Sequence, residues 1–323
     1  MKKRMAALLA LGLLGCGSSN SSQSGFSGST VQVNVLHYND SNSALVSEDN
    51  FGGVARFATV LKREQGRGPS LTLSAGDNLG AGAQFQASLD HGVPFFEATA
   101  MDLLGVQASA VGPGEFYYGP GAFGQFLAGV NLPFLSVNLD VSAEPTLAPV
   151  VKSSVVRVQG IPVTIIGVTT PRLAFTSTPG DVLVSEQLAA LTQAEIDRAG
   201  PLVVVLANLP DLASARELVR QLHGLDLLVS ASANEILANP GQVLVPGDEA
   251  SAPYPAWEGN VPIVFTGPNF HYLGRLTLTL DEQGVVRSAE GGPVRVAGGT
   301  EIDAVRPDPV SYTHLTLPTK RIV

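Results

Sequence analysis

The sequence predicts an α/β domain in which helices cover sheets. Apolar, β-branched runs alternate with helical patterns through most of the chain, and the last strands follow one another as hairpins. Neither an internal repeat nor a break in composition separates Val31 from about Ala297, so the folded part reads as a single domain spanning 31–300. A hydrophobic content of 45% with 15% charged residues places this part among globular chains.

Each element has a local reason. "VQVNVLHY" alternates and is β-rich, so it is a strand, and it runs into the turn cluster "NDSNS". "GGVARFATVLKRE" sets Val54, Phe57, Ala58 and Leu61 at helical spacing. "SLTLSAGDN" is a strand ending in a turn. "PFFEATAMDLLG" is a helix, with Pro94 in its first turn and Gly105 after its end. "VQASAVGPG" is a strand and loop, "FGQFLAGV" a helix and "PFLSVN" a strand. "SSVVRVQG" and "IPVTIIGVTTP" form a hairpin through Gly160. "EQLAALTQAEIDRAG" is a helix, and "PLVVVLANLP" is a strand buried on both faces. "DLASARELVRQLHG" is a helix with Asp211 at its N-cap and Gly224 beyond its end. "LDLLVSASAN" is a second buried strand. "VPIVFTG", "HYLGRLTLTLD" and "GVVRSAEGGPVRV" are expected to close the domain as a β-meander.

The two ends read differently from the middle. Lys2, Lys3 and Arg4 precede the short apolar run "MAALLALGLLG", which ends in "LLGC". This looks like a bacterial lipoprotein signal, with residues 1–15 removed and lipid on Cys16, the only cysteine. Residues 16–30 are Ser/Gly-rich and read as a flexible tether. The expected location is extracytoplasmic, anchored to a membrane through Cys16. At the other end, "VSYTHLTLPT" is similar to one reading frame of a transposon adapter used in sequencing libraries. Residues 310–323 are therefore read as not native, and the natural chain is expected to continue differently after Pro309.

The net charge of −9 argues against a nucleic-acid partner, which needs a basic footprint. Ser74 and Ser136 lack a Gly-x-Ser-x-Gly setting, and "GPGAFG" lacks the lysine of a phosphate loop, so neither chemistry is expected. His37 lies within the first strand and reads as a buried or edge residue. His91, His223, His271 and His314 stand outside the strand-end loops that would carry ligands.

One loop raises a question. "AVGPGEFYYGPG" stands where α/β enzymes keep their chemistry, yet holds a single carboxylate, Glu115, and no histidine, cysteine or serine. The blocks "VNVLHYNDSN", "GGVARFATVLKRE", "LSAGDN", "VGPGEFYYG", "LSVNL", "IIGVTTP", "VVVLANLP", "DLLVSASAN" and "YLGRLTLTLD" follow in an order that resembles the N-terminal domain of the 5′-nucleotidase family. That domain is a calcineurin-like metallophosphoesterase, and the resemblance runs from Val31 to about Asp281.

The resemblance implies a four-layer α/β/β/α sandwich. It also implies two divalent metal ions at the strand ends, bridging a phosphate ester and activating water. Carried over loop by loop, Asp40 matches the family's first aspartate, and Asn42 stands where a histidine is expected. Asp77 matches the carboxylate that bridges both metals. Pro113 replaces the metal-binding asparagine, Gly114 the catalytic histidine, and Tyr117 the aspartate that holds that histidine. Asn208 stands for a ligand histidine, and Ser232 and Asn234 for those of the last loop. Asn42, Asn208, Ser232 and Asn234 can either ligate through oxygen or satisfy neighbouring backbone. Asn138 reads as a structural hydrogen-bonder near the site, and Glu115 is the only acid that could stand in for Gly114, if it turned inward.

These residues admit no metal, or one weakly bound Mg²⁺ or Ca²⁺. With little compensating charge, Asp40 and Asp77 are expected to face each other and one of them to hold a proton readily. The expectation is a phosphoesterase-like domain that is inactive or nearly so and acts as a binding or surface module. The alternative is a 5′-nucleotidase-type monoesterase with altered metal use. The family's C-terminal nucleotide-binding domain has no counterpart in the sequence, and nothing specifies whether the partner is a small molecule or a protein.

Overall fold

The computed structural model describes residues 30–316, apart from 48, 81, 82, 92–94, 233 and 283. The signal segment, Cys16, nearly all of the tether and the last seven residues lie outside the described residues, as does Pro94.

In chain order the first half contains β1 (Val31–Tyr38), α1 (Val54–Gln65), β2 (Ser70–Ser74), α2 (Ala83–His91), α3 (Phe96–Leu104), β3 (Ala108–Ala110), α4 (Gly119–Leu127), β4 (Phe134–Leu135) and β5 (Leu139–Asp140). A hairpin of β6 (Ser153–Val158) and β7 (Ile161–Thr169) follows, then α5 (Leu173–Thr176) and β8 (Leu183–Val184). Next come α6 (Leu188–Ile196), β9 (Leu202–Asn208), α7 (Leu212–Arg220) and β10 (Leu227–Ser230). The chain closes with β11 (Ala256–Glu258), β12 (Val261–Val264), β13 (Tyr272–Leu280) and β14 (Val286–Arg295).

Two six-stranded sheets form the centre, ordered β14-β13-β1-β2-β3-β4 and β11-β12-β10-β9-β7-β6. Period-two patterning decides which face each residue serves. Val33 and Val35 of β1, with Leu71 and Leu73 of β2, join Val204 and Leu228 in the core between the sheets. Leu36 and Tyr38 point the other way, into a second core with Phe57, Met101 and Phe123 of α1, α3 and α4. On the far side α7 buries Leu212, Ala215 and Leu218 against the second sheet. The layers are therefore helix, sheet, sheet, helix, the sandwich the sequence led us to expect. Asp211 caps α7 by accepting from the Ser214 amide at 2.7 Å, and Gly105 ends α3 in the left-handed conformation.

Five readings change. The last strands are not one meander: β12 pairs with β10 and β11 in the second sheet, whereas β13 and β14 form a hairpin in the first. β11 went unforeseen because it is three residues long. α2 went unforeseen because Phe85 and Leu89 are the only large apolar residues of "AQFQASLDH", too few to establish a helical period. α7 ends at Arg220, so His223 lies past the helix rather than in its last turn. The packed chain also runs beyond 300. Asp308 accepts from Lys62 at 2.6 Å, and Leu315, in the adapter-like stretch, is fully buried beside α1.

Candidate active site

β1, β2 and β3 run parallel in one sheet, and β7, β9 and β10 run parallel in the other. Their carboxyl ends meet at one edge of the sandwich, where open α/β sheets place their ligands. A cleft of about 400 Å³ opens there, lined among others by Asp40, Asn42, Asp77, Tyr117, Arg172 and Asn208.

The first two loops are tied together by backbone. Asp40 N–H donates to Gly76 O, and Asn42 N–H donates to Asp77 O, each at 3.0 Å. Asp40, Asn42 and Asp77 all have positive φ, near 50°. Asp and Asn tolerate this left-handed region better than most residues, but it still strains them, and such strain gathers at functional sites.

The carboxylates are nearly out of water and well supplied with donors. Asp77 accepts from the Gly114 amide through one oxygen and from Asn208 Nδ2, at 3.0 Å, through the other. Asp40 accepts from Asn39 Nδ2 at 2.6 Å and from the backbone of Ser232. The two carboxyls lie close enough for the charge of Asp77 to bear on Asp40. Burial, reinforced by the Asp77 charge, pushes Asp40 up to about 7, and burial raises Asp77 as well.

Asn208 has a fixed orientation. Its Nδ2 donates to both Ala75 O and Asp77 Oδ2, so a flipped amide would set its oxygen against two acceptors. It therefore presents N–H, not a ligating oxygen, to Asp77. Asn42 turns its Nδ2 to Asp40 O and Asn269.

Glu115 does not turn into the cleft. It is buried beneath the loops and accepts from the amides of Gly112 at 2.7 Å, Asp77 at 3.2 Å and Asn78 at 2.8 Å, and from Asn78 Nδ2 at 3.0 Å. Burial and the nearby Asp77 charge push it up to about 7. It holds the β2 and β3 loops together and cannot stand in for the absent acid. Tyr117 lines the cleft half-exposed, and burial with the Asp77, Asp40 and Glu115 charges raises its phenol.

Other residues fall as the sequence suggested or away from it. Asn138 is buried behind the site, accepting from Thr169 N–H and donating to Thr169 O, a structural role. Asn234 is exposed and does not line the cleft, so the structure does not bring it to the site. It lies past β10, where the chain has already turned from the strand ends. His37 is buried between the sheets against Tyr254, 2.7 Å from its hydroxyl. Among the described residues no histidine lines the cleft, and no three His, Cys, Asp or Glu side chains cluster at metal-binding distance. Sequence reasoning missed Arg172 and Thr170, which line the cleft from the end of β7, and Asn39, which braces Asp40. A lone cation in the strand-end loop "TTPR" was the available signal for Arg172.

Comparison with known proteins agrees with this architecture. The rat 5′-nucleotidase is 29% identical over 299 residues, covering 84% of this chain and 50% of its own length. A 5′-nucleotidase precursor from Thermus thermophilus superposes with a TM-score of 0.80 at 25% identity, over 90% of this chain and 59% of that one. The fold is the calcineurin-like metallophosphoesterase fold of the N-terminal domain of 5′-nucleotidases. The calcineurin-like phosphoesterase YfkN from Bacillus subtilis shares it, with a TM-score of 0.75 at 15% identity over 91% of this chain and 98% of that one. No protein-family model matches the chain. The chain spans about half the length of the curated relatives it matches. In this metallophosphoesterase-like fold, Asp40 and Asp77 both line the one cleft.

Proposed function

We propose that this phosphoesterase domain binds a ligand in the Asp40–Asp77 cleft without hydrolysing phosphoesters. The observation that carries the reading is what surrounds Asp77. Its two oxygens face the Gly114 amide and Asn208 Nδ2. Hydrogen-bond donors face the carboxylate where two cations would lie in a metal pair. Pro113 has no side-chain donor atom, and Gly114 cannot pass a proton. The donor set does not fit two divalent ions; at most one hard cation is held weakly by Asp40 and Asp77.

The test is turnover of AMP and p-nitrophenyl phosphate with Mn²⁺, Zn²⁺, Co²⁺ or Mg²⁺. No rate above background is expected, since losing an acid–base residue alone typically costs about 10²–10⁴-fold. Metal-dependent turnover that disappears in Asp77→Ala would favour the other reading, a monoesterase with altered metal use. That reading has in its favour the two carboxylates kept in strained, left-handed backbone.

We further propose that lipid on Cys16 holds the domain to the outer face of a membrane. Cys16→Ser is expected to release the protein into the soluble fraction, and unchanged fractionation would count against the anchor.

A further inference from the structure

The cleft contains an unspent charge. Apart from Asp40 and Asp77 on its floor, the only charged side chain lining it is Arg172, at the end of β7. Arg172 is exposed, and among the described residues its guanidinium has no ion-pair or hydrogen-bond partner. Thr170, Arg172, Leu209 and Pro210 also line a neighbouring groove of about 520 Å³. That groove runs over α6 and α7, with Leu188, Leu209 and Leu218 on its walls and Glu186 and Glu217 among its lining. The two hollows adjoin along these residues, with the two carboxylates lining the first, Arg172 lining both and the leucines lining the second, and together they are called the trench below.

A phosphate on that floor would meet two carboxylates with a single guanidinium to offset them. A group that donates hydrogen bonds and carries positive charge fits the floor instead. We propose that the trench binds a small zwitterion of the amino-acid type. Its ammonium sits at Asp40 and Asp77, its carboxylate pairs with Arg172, and its apolar side chain lies in the groove along Leu188, Leu209 and Leu218. Guanidinium and carboxylate match as a two-point, charge-assisted pair. This rests on the non-hydrolytic reading above, because a bound metal pair would take the floor.

Calorimetric titration of the full chain, in the presence of a chelator, tests the assignment. L-leucine is expected to bind saturably at millimolar concentration or below. N-acetyl-L-leucine, which lacks the cation, and L-leucinamide, which lacks the anion, are each expected to bind at least about tenfold more weakly, the loss of one charge-assisted contact. L-glutamate is expected to bind more weakly than leucine, because its side chain would meet Glu186 and Glu217. Arg172→Gln is expected to weaken leucine binding at least about tenfold and so to abolish the preference for leucine over leucinamide. Absence of leucine binding by folded protein would overturn the proposal. So would N-acetyl-L-leucine binding as well as leucine, or a carboxylate preference that survives Arg172→Gln. Failure of leucine to bind without any phosphoester turnover sinks this assignment alone. Asp77-dependent turnover with metal sinks the underlying reading too.

Discussion

Glu115 and the Asp40–Asp77 pair are buried carboxylates in the same cluster of strand-end loops, and they are held in opposite ways. Glu115 lies under the loops and takes three backbone amides and one side-chain amide from two different loops. Three of these four donors are main chain, which does not change when side chains are replaced. Asp40 and Asp77 open onto the cleft, and their donors come from Asn39, Asn208, Ser232 and Gly114. The first arrangement keeps the loops in the phosphoesterase shape. The second occupies the place where, by the resemblance, a metal pair would lie. The two draw on different partners, so the frame of the loops does not depend on what the cleft holds.

The hardest test of the frame is Glu115→Ala. It would strand buried amides of Gly112, Asp77 and Asn78, and removing one partner from a buried charged network costs about 3–5 kcal/mol. Urea unfolding should show that loss, with Glu115→Gln falling between the variant and the parent. A loss below about 1 kcal/mol, the value of an ordinary single hydrogen bond, would mean the loops are held by something else.

Returning the family's histidine is the next largest change. A Cβ at Gly114 would fall on the Leu79 carbonyl oxygen and on Asp77, so the loop has closed over the space. Gly114→His is expected to destabilise by about 1–3 kcal/mol, the cost of overpacking, and to produce no phosphoesterase activity. Metal-dependent hydrolysis of p-nitrophenyl phosphate by this variant would show that the site was one residue from function.

Much of this was legible in the chain. Strand patterning showed that Asp40, Asp77 and Glu115 each lie in a loop after a strand, while their register and the two-sheet sandwich came from the family resemblance. Convergence did not follow for Asn234, because nothing local says where the chain leaves the strand end. The orientation of Asn208 was likewise hidden. Its amide can donate or accept, and only the contact with Ala75 O decides between them. The inward-facing role of Glu115 depends on backbone amides 37 and 38 residues away in sequence, a relation no pattern carries. The short strand β11 and the weakly patterned α2 failed for want of length and of apolar anchors.

The acidic floor makes a subtler prediction about pH. Asp40 is raised to about 7, so the folded protein holds a proton there that the unfolded chain has released above its ordinary carboxylate range. The native state then binds more protons, and stability falls as pH rises from about 4 to about 7. Glu97 and Glu115, also raised to about 7, act in the same direction. Asp77→Asn removes the like charge beside Asp40 and should flatten part of this fall. The variant should be less stable than the parent near pH 5, because its NH2 must face either Gly114 N–H or Asn208 Nδ2, and should recover about 1 kcal/mol relative to the parent by pH 8, the worth of roughly one unit of pKa. Melting curves at several pH values check this, and stability that rises toward pH 8 in the parent would contradict a raised carboxyl on the floor.

The smallest effect separates the cleft from its surroundings. Asn208 and Asn234 both occupy positions where the family resemblance implies ligand histidines, but only Asn208 bonds into the floor. Asn208→Ala should cost about 1–2 kcal/mol, because Ala75 O and Asp77 lose a buried donor, and it should weaken whatever the cleft binds. Asn234 is exposed, and among the described residues its side chain has no hydrogen-bond partner. Asn234→Ala should therefore change stability by no more than about 0.5 kcal/mol and leave ligand affinity as it was. Paired titrations of the two variants measure the difference directly. If Asn234→Ala lost affinity as Asn208→Ala does, the loop after β10 would have to fold inward over the cleft when ligand arrives, and the border drawn between frame and site would move to include it.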